Sequence, residues 1–316
     1  MKKMDAIPDL LEKISQDNLR HCLFYLSKDP IPCRTLNFTR PGRDMCTLYE
    51  ADEFIARALT DSGCSVERQK VPVQAFQPDT TAPHGFRKPL ESEPWYDSFN
   101  LFGVIPGVKV PGEAIVFIAH KDTQSWLTCA PGAYDNCVGV VCLLELARLS
   151  RYFKHQRTAI FLFPNEEHWP WTSVAAAESL AKSQIDIIAV INVDGIGGKS
   201  TRETEAGKAT NVTRYSTAEG ERLADLMAVL NETYAIGLEQ SKFHCSTPND
   251  DDGSFVNAGF SYSVLNIGSF PYSEPHYHTP EDRPEHVDIE NLTKATQLCL
   301  AALLHLDASG NDFKAS

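Results

Sequence analysis

The sequence predicts an α/β fold: a three-layer α/β/α sandwich around a central, mostly parallel mixed sheet. Three observations predict it. Short, uninterrupted apolar runs recur from residue 113 onward, segments with helical apolar spacing alternate with them, and no internal repeat or long linker breaks the order. Strands buried on both faces read as continuous apolar runs. Strands alternating with helices mean parallel neighbours covered on both faces.

Residues 8–27 and 47–62 carry apolar residues at helical spacing (Leu10, Leu11, Ile14; then Phe54, Ile55, Leu59) and read as amphipathic helices. Pro30, Pro32, Pro41 and Gly42 mark a loop between them. Residues 65–75 alternate like a strand, and 77–97, rich in Pro, His and Ser, read as a surface loop. EAIVFIAH at 113–120, RTAIFLF at 157–163, DIIAVINVD at 186–194 and SYSVLNI at 261–267 read as buried strands. The segments 136–150, 174–183, 216–234 and 287–306 read as helices, the third opened by a cap at Ser216 or Thr217. The chain 1–316 reads as one domain, with 1–97 a mostly helical lead-in packed on it.

Composition narrows the function classes. The 316 residues carry a net charge of −13, which argues against a nucleic-acid partner, since phosphates call for Lys and Arg. No run approaches the roughly 18 apolar residues of a membrane span. The N-terminus, MKKMDAIPDLLEKIS, lacks the apolar centre of a signal peptide. The nine cysteines are scattered and never spaced as CxxC, which favours reduced thiols over a disulfide framework. Both features lead to the expectation of a cytoplasmic protein; a leader trimmed from a longer precursor would alter it.

In open sheets of this kind, ligands sit beyond the carboxyl ends of the strands. There the sequence places His120-Lys121-Asp122, Glu166-Glu167, Asp194, and the pair His276 and His278; a turn, PGAYDN at 131–136, sets Asp135 just before a helix. Taken singly, each has a bland reading: an Asp before a helix is a cap, and a strand-end His is exposed or hydrogen-bonded. Taken together, packed carboxylates are costly unless a cation neutralises them. Imidazoles mixed with carboxylates suit zinc, and no cysteine falls in the set. Five ligands are too many for one tetrahedral ion; they suit two ions sharing a bridging carboxylate, about 3.5–4 Å apart.

The segments HKD at 120–122, PGAYDNCVGVVCLLELAR at 131–148, NEE at 165–167, NVDGIGG at 192–198 and YHTPED at 277–282 resemble the M28 family of zinc exopeptidases in order and spacing, over about 98–306. The resemblance implies the zinc-exopeptidase architecture and a two-zinc aminopeptidase acting on peptides with a free N-terminus. It implies that His120 and Asp194 bind one zinc, Glu167 and His278 the other, and Asp135 bridges them. It gives Glu166 the role of general base, has Asp122 fix the ring of His120 through its other nitrogen, and implies a cis peptide at Asp135–Asn136.

Glutaminyl cyclases, which use one zinc to cyclise N-terminal glutamine, are the alternative. After the bridging Asp, peptidases of this fold typically carry Asn, as Asn136 here, and cyclases Ser; before the last His, cyclases typically carry Trp, where Tyr277 stands here. A metal-free binding protein of the same fold is a third reading, disfavoured because every ligand position holds a competent residue. The family usually follows its Glu pair with small, Gly-containing sequence, whereas this chain has His168-Trp169-Pro170-Trp171. Trp169, Trp171 and Tyr277 are therefore candidates to wall the substrate pocket. NDDDGSFVNAGF at 249–260 has two readings, acids that bind the substrate's amine or a solvated turn, of which the turn is preferred; His168 reads as a non-ligand and Cys137 as a small core residue.

Overall fold

The computed structural model describes residues 7–82 and 84–315. The absence of a signal-peptide pattern rests partly on residues 1–6, which lie outside the described residues. Helices α1 (Ile7–Leu11) and α2 (Gln16–Ser27) open the chain where one helix over 8–27 is expected. The break has a local cause. Ser15 caps α2 by accepting from the Asn18 N–H, and its own N–H donates to Glu145 Oε1 at 2.8 Å.

Helix α3 (Thr47–Asp61) is followed by β1 (Ser65–Ala75), a small hairpin of β2 (Gln77–Pro78) and β3 (Phe86–Arg87), β4 (Trp95–Ile105) and β5 (Val110–Ile118). Then come α4 (Val138–Leu149), β6 (Arg157–Phe163), β7 (His168–Trp169), α5 (Ser173–Ala181), β8 (Asp186–Val193), α6 (Thr201–Glu205) and β9 (Thr210–Tyr215). The chain closes with α7 (Ala218–Thr233), β10 (Glu239–His244), α8 (Asp250–Asn257), β11 (Ser263–Ile267) and α9 (Ile289–Ser309). Thr217 is the cap of α7, accepting from the Gly220 N–H.

Nine strands form one mixed sheet in the order β10-β9-β11-β8-β5-β6-β4-β1-β7. Its centre, β11-β8-β5-β6, is parallel throughout. Strands β4, β1 and β7 add antiparallel at one edge, and β9 runs antiparallel to β11 at the other. Strand β1 thus makes the N-terminal segment part of the sheet as well as a helical lead-in. Side chains alternate between faces. Ile115 and Phe117 of β5 join the core under α2, α4 and α9, whereas Ala114, Val116 and Ile118 pack with Ala176 and Ala177 of α5 and Phe255 of α8. Helices on both faces of a parallel centre make the expected three-layer sandwich, and its parallel strands β5, β6, β8 and β11 all end at the same edge.

Candidate metal centre

At that edge, β5 leads into His120, β6 into Glu166 and Glu167, and β8 into Asp194, while the loop after β11 returns His278. Asp135 lies in the turn Ala133–Cys137, and its peptide bond to Asn136 is cis, as the resemblance implies. The Asp135 carboxylate stands between two histidines. Its Oδ1 is 3.1 Å from His120 Nε2 and its Oδ2 is 2.9 Å from His278 Nε2. His120 Nε2 is also 3.6 Å from Asp194 Oδ1, and His278 Nε2 is 3.7 Å from Glu167 Oε1.

These spacings fit zinc. Ligand bonds of 2.0–2.1 Å in a tetrahedron put neighbouring donor atoms roughly 3.3 Å apart, inside the observed range. His278 Nε2 faces the Asp135 and Glu167 oxygens without hydrogen-bond alignment to either, and its buried Nδ1 has no hydrogen-bond partner among the described residues. The donor atoms of His120, Asp135 and Glu167 lie within 4.8 Å of one another, and so do those of His120, Glu166 and Asp194. Glu166 is therefore close to the His120 side of the cluster, with its buried Oε2 unpartnered.

A layer of further hydrogen bonds orients these groups, as metal sites require. Asp122 Oδ1 lies 3.3 Å from His120 Nδ1, and its two oxygens accept the backbone N–H groups of Glu166 and Glu167, both at 2.9 Å. The sequence singled out Asp122 and its contact to His120, but not its contacts to His168 or to the Glu166 and Glu167 N–H groups. His168, fully buried and indeed outside the cluster, places Nδ1 2.7 Å from Asp122 Oδ2. Gln124 Nε2 donates to Asp135 Oδ2 at 2.8 Å, and Asp282 accepts from the N–H groups of Tyr134 and Asp135. Arg34, fully buried, donates to the carbonyls of Leu26, Lys121, Pro131 and Gly132 and so fixes the segment between His120 and Asp135. Most of these contacts span tens of residues of sequence, and no local spacing signals them. Asn136 has a visible role: its Nδ2 donates to Val193 O at 2.8 Å and its Oδ1 accepts from Gly195 N–H at 3.3 Å. It ties the Asp135 turn to both neighbours of Asp194.

Two expectations are corrected. Cys33 and Cys129 form a disulfide, with Cα atoms 5.1 Å apart, so the nine thiols are not all reduced. Bridged residues 96 positions apart leave no motif, and only the fold brings them together. The acidic stretch at 249–260 is not a solvated turn. It forms α8, and Asp250 and Asp252 are buried against Arg214 at 2.6 and 3.0 Å. Cys137 is a buried core residue whose thiol burial pushes up to about 11, which disqualifies it as a nucleophile. His276 turns away to Glu274, with Nδ1 2.8 Å from Oε1.

The cluster opens into a cleft of about 820 Å³. Trp169, Trp171 and Tyr277 line it, joined by Phe76, Phe86 and Tyr272. The hairpin β2–β3 overhangs it, so part of the segment read as a surface loop is a wall of the site.

Burial dominates the electrostatics. It raises the Glu167 carboxyl to about 7, with Asp135 adding to the effect, and raises the Glu166 carboxyl well above its ordinary range, helped by Asp251 and Asp250. Burial likewise lifts Asp251, Asp252 and Asp282 to about 7. For His278 burial works against the charged ring, but Asp135 and Glu167 outweigh it and hold the ring at about 10. Asp135 is opposed by burial yet held far below the carboxylate range by His120 and His278. The sign follows. A carboxyl raised from 4.5 to about 7 contributes stability that is present below 4.5 and lost as pH rises through 7. A histidine raised to about 10 acts in the same direction at higher pH. Chelator-treated protein should therefore melt at progressively lower temperature from pH 5 to pH 8. Zinc, which competes with protons for these groups, should stabilise most at pH 8. Equal pH slopes with and without zinc would contradict this.

The chain belongs to peptidase family M28, whose sequence profile matches residues 100–303. It is 26% identical over 238 residues to leucine aminopeptidase 1 of Chaetomium globosum, covering 71% of this chain and 57% of that protein. The chain thus spans little more than half the length of that relative. Among solved structures, the zinc aminopeptidase BSAP of Bacillus subtilis matches with a TM-score of 0.70 at 16% identity, covering 92% of this chain and 95% of that one. A glutaminyl cyclase of Bacteroides thetaiotaomicron matches with a TM-score of 0.69 at 16% identity, over 92% and 98%. Both likenesses show the fold; they do not separate the two activities.

Proposed function

We propose that the protein is a two-zinc aminopeptidase that removes N-terminal residues from peptides. One observation carries the reading: the two oxygens of Asp135 face two different histidines, and each histidine has its own second carboxylate, Asp194 or Glu167. A bridging carboxylate between two His/carboxylate pairs is a two-ion donor set. Zinc, when bound there, supplies Lewis-acid polarisation of the scissile carbonyl and acidifies a water. Glu166, aimed by the Asp122 contact to its N–H, takes the proton of the attacking water and returns it to the leaving amine. His168 and Asp122 hold the His120 ring and the Glu166–Glu167 backbone in register during that exchange. The aromatic walls exclude water from the first side chain of the substrate, and the acidic floor favours its α-amine.

The cyclase alternative needs only one ion. Asn136 favours the peptidase because it draws Asp194 towards Asp135, which a one-ion site would not require. Aminoacyl chromogenic substrates and N-terminal glutaminyl peptides offered side by side test the reading. The expected result is release of N-terminal residues, lost on chelation and restored by zinc. Cyclisation of glutamine with no release of other residues would overturn it.

A further inference from the structure

We propose, building on the aminopeptidase reading, that Lys88 forms a carboxylate-binding subsite that selects short peptides with a free C-terminus. Lys88 directly follows β3 on the overhanging hairpin, and its Nζ stands 3.5 Å from the centre of the Trp169 ring. Trp169 lies two residues beyond Glu167, in the short strand β7. Both line the cleft, and so does Lys88.

The ammonium is placed but not neutralised. Its neighbour Arg87 is committed to Glu93 at 3.0 Å, whereas Lys88 has no carboxylate within ion-pair distance among the described residues. The Trp169 face holds the cation in position and leaves its N–H donors available. Among the described residues lining the cleft, Lys88 is the one lysine or arginine; the same lining carries Glu166, Glu167 and Asp250. A cleft negative at the cluster and positive at the rim complements a short zwitterion, amine inward and carboxylate outward.

Chain length sets which peptides qualify. Glu167, Trp169 and Lys88 line one cleft of about 820 Å³. Each substrate residue adds about 3.5 Å. The carboxylate of a di- or tripeptide held at the cluster therefore reaches Lys88, and longer chains run past it.

The test compares peptides of two, three and six residues, each as the free acid and the C-terminal amide, on the zinc-loaded protein and on Lys88→Met and Lys88→Arg. The wild type should prefer the acid by about fivefold in kcat/KM at two or three residues, the scale of a partly exposed charge pair. The difference should lie mainly in KM and fade at six residues. Lys88→Met keeps the alkyl stem over Trp169 and should bring the acid-to-amide ratio to about one; Lys88→Arg should retain the preference. Equal rates on acid and amide in the wild type, or a preference that survives Lys88→Met, would overturn the subsite while leaving the aminopeptidase reading intact. If no peptide is cleaved, that reading falls. The same peptides are then inert ligands, and calorimetric binding of acid against amide to wild type and Lys88→Met decides the role of Lys88.

Discussion

Glu166→Gln should lower kcat by at least ~100-fold, the usual scale for a lost acid–base group, while zinc content stays at the wild-type level. The substitution preserves shape and removes only the proton-accepting oxygen, and the backbone N–H that Asp122 receives is untouched. Glu167→Gln should behave in the opposite sense, losing metal first, because Glu167 is the carboxylate near His278 at 3.7 Å. The pair of measurements is decisive because Glu166 also lies within 4.8 Å of His120 and Asp194 donor atoms. Metal analysis alongside turnover separates the two roles. If Glu166→Gln loses zinc and Glu167→Gln keeps it, the roles are reversed; if neither changes turnover, neither residue serves the chemistry proposed.

The parallel centre of the fold was legible because β5, β6, β8 and β11 are apolar on both faces, and such runs have few other readings. Strands outside that centre were harder to see. Strand β10, EQSKFH, is an exposed edge strand with no apolar pattern, and β9, TNVTRY, buries polar side chains such as Asn211 and Thr213. Strand β4 was missed because its first residues are exposed and its pairing to β1 and β6 is a tertiary choice. The residues expected at the metal cluster were legible because strand ends converge on one edge whatever the loops do. Their supports were not. Arg34, Gln124, His168 and Asp282 act through contacts 8 to 148 positions away in sequence. The carboxylates of α8 misled for a related reason: three adjacent aspartates look solvated until Arg214, 36 residues earlier, is seen to pair with Asp250.

The central claim is that Asp135 joins two metal positions, and zinc stoichiometry tests it. Asp135→Ala should weaken zinc binding by at least about 100-fold, beyond what loss of a merely orienting group costs. It should affect both positions together, since one residue serves His120 and His278 alike. Stability measured in parallel separates metal loss from unfolding: in chelator the variant should melt lower than the wild type, because the His120 and His278 rings lose the buried carboxylate between them, so zinc affinity is compared at a temperature where both proteins are folded. The most direct measurement is zinc titration of the chelator-treated wild-type protein at pH 8, read by calorimetry and by metal analysis after desalting. The account predicts saturation at two zinc ions per chain, with peptide release appearing as the sites fill and neither site retained in Asp135→Ala. Saturation at a single ion with full activity, or full activity in metal-free protein, would contradict it.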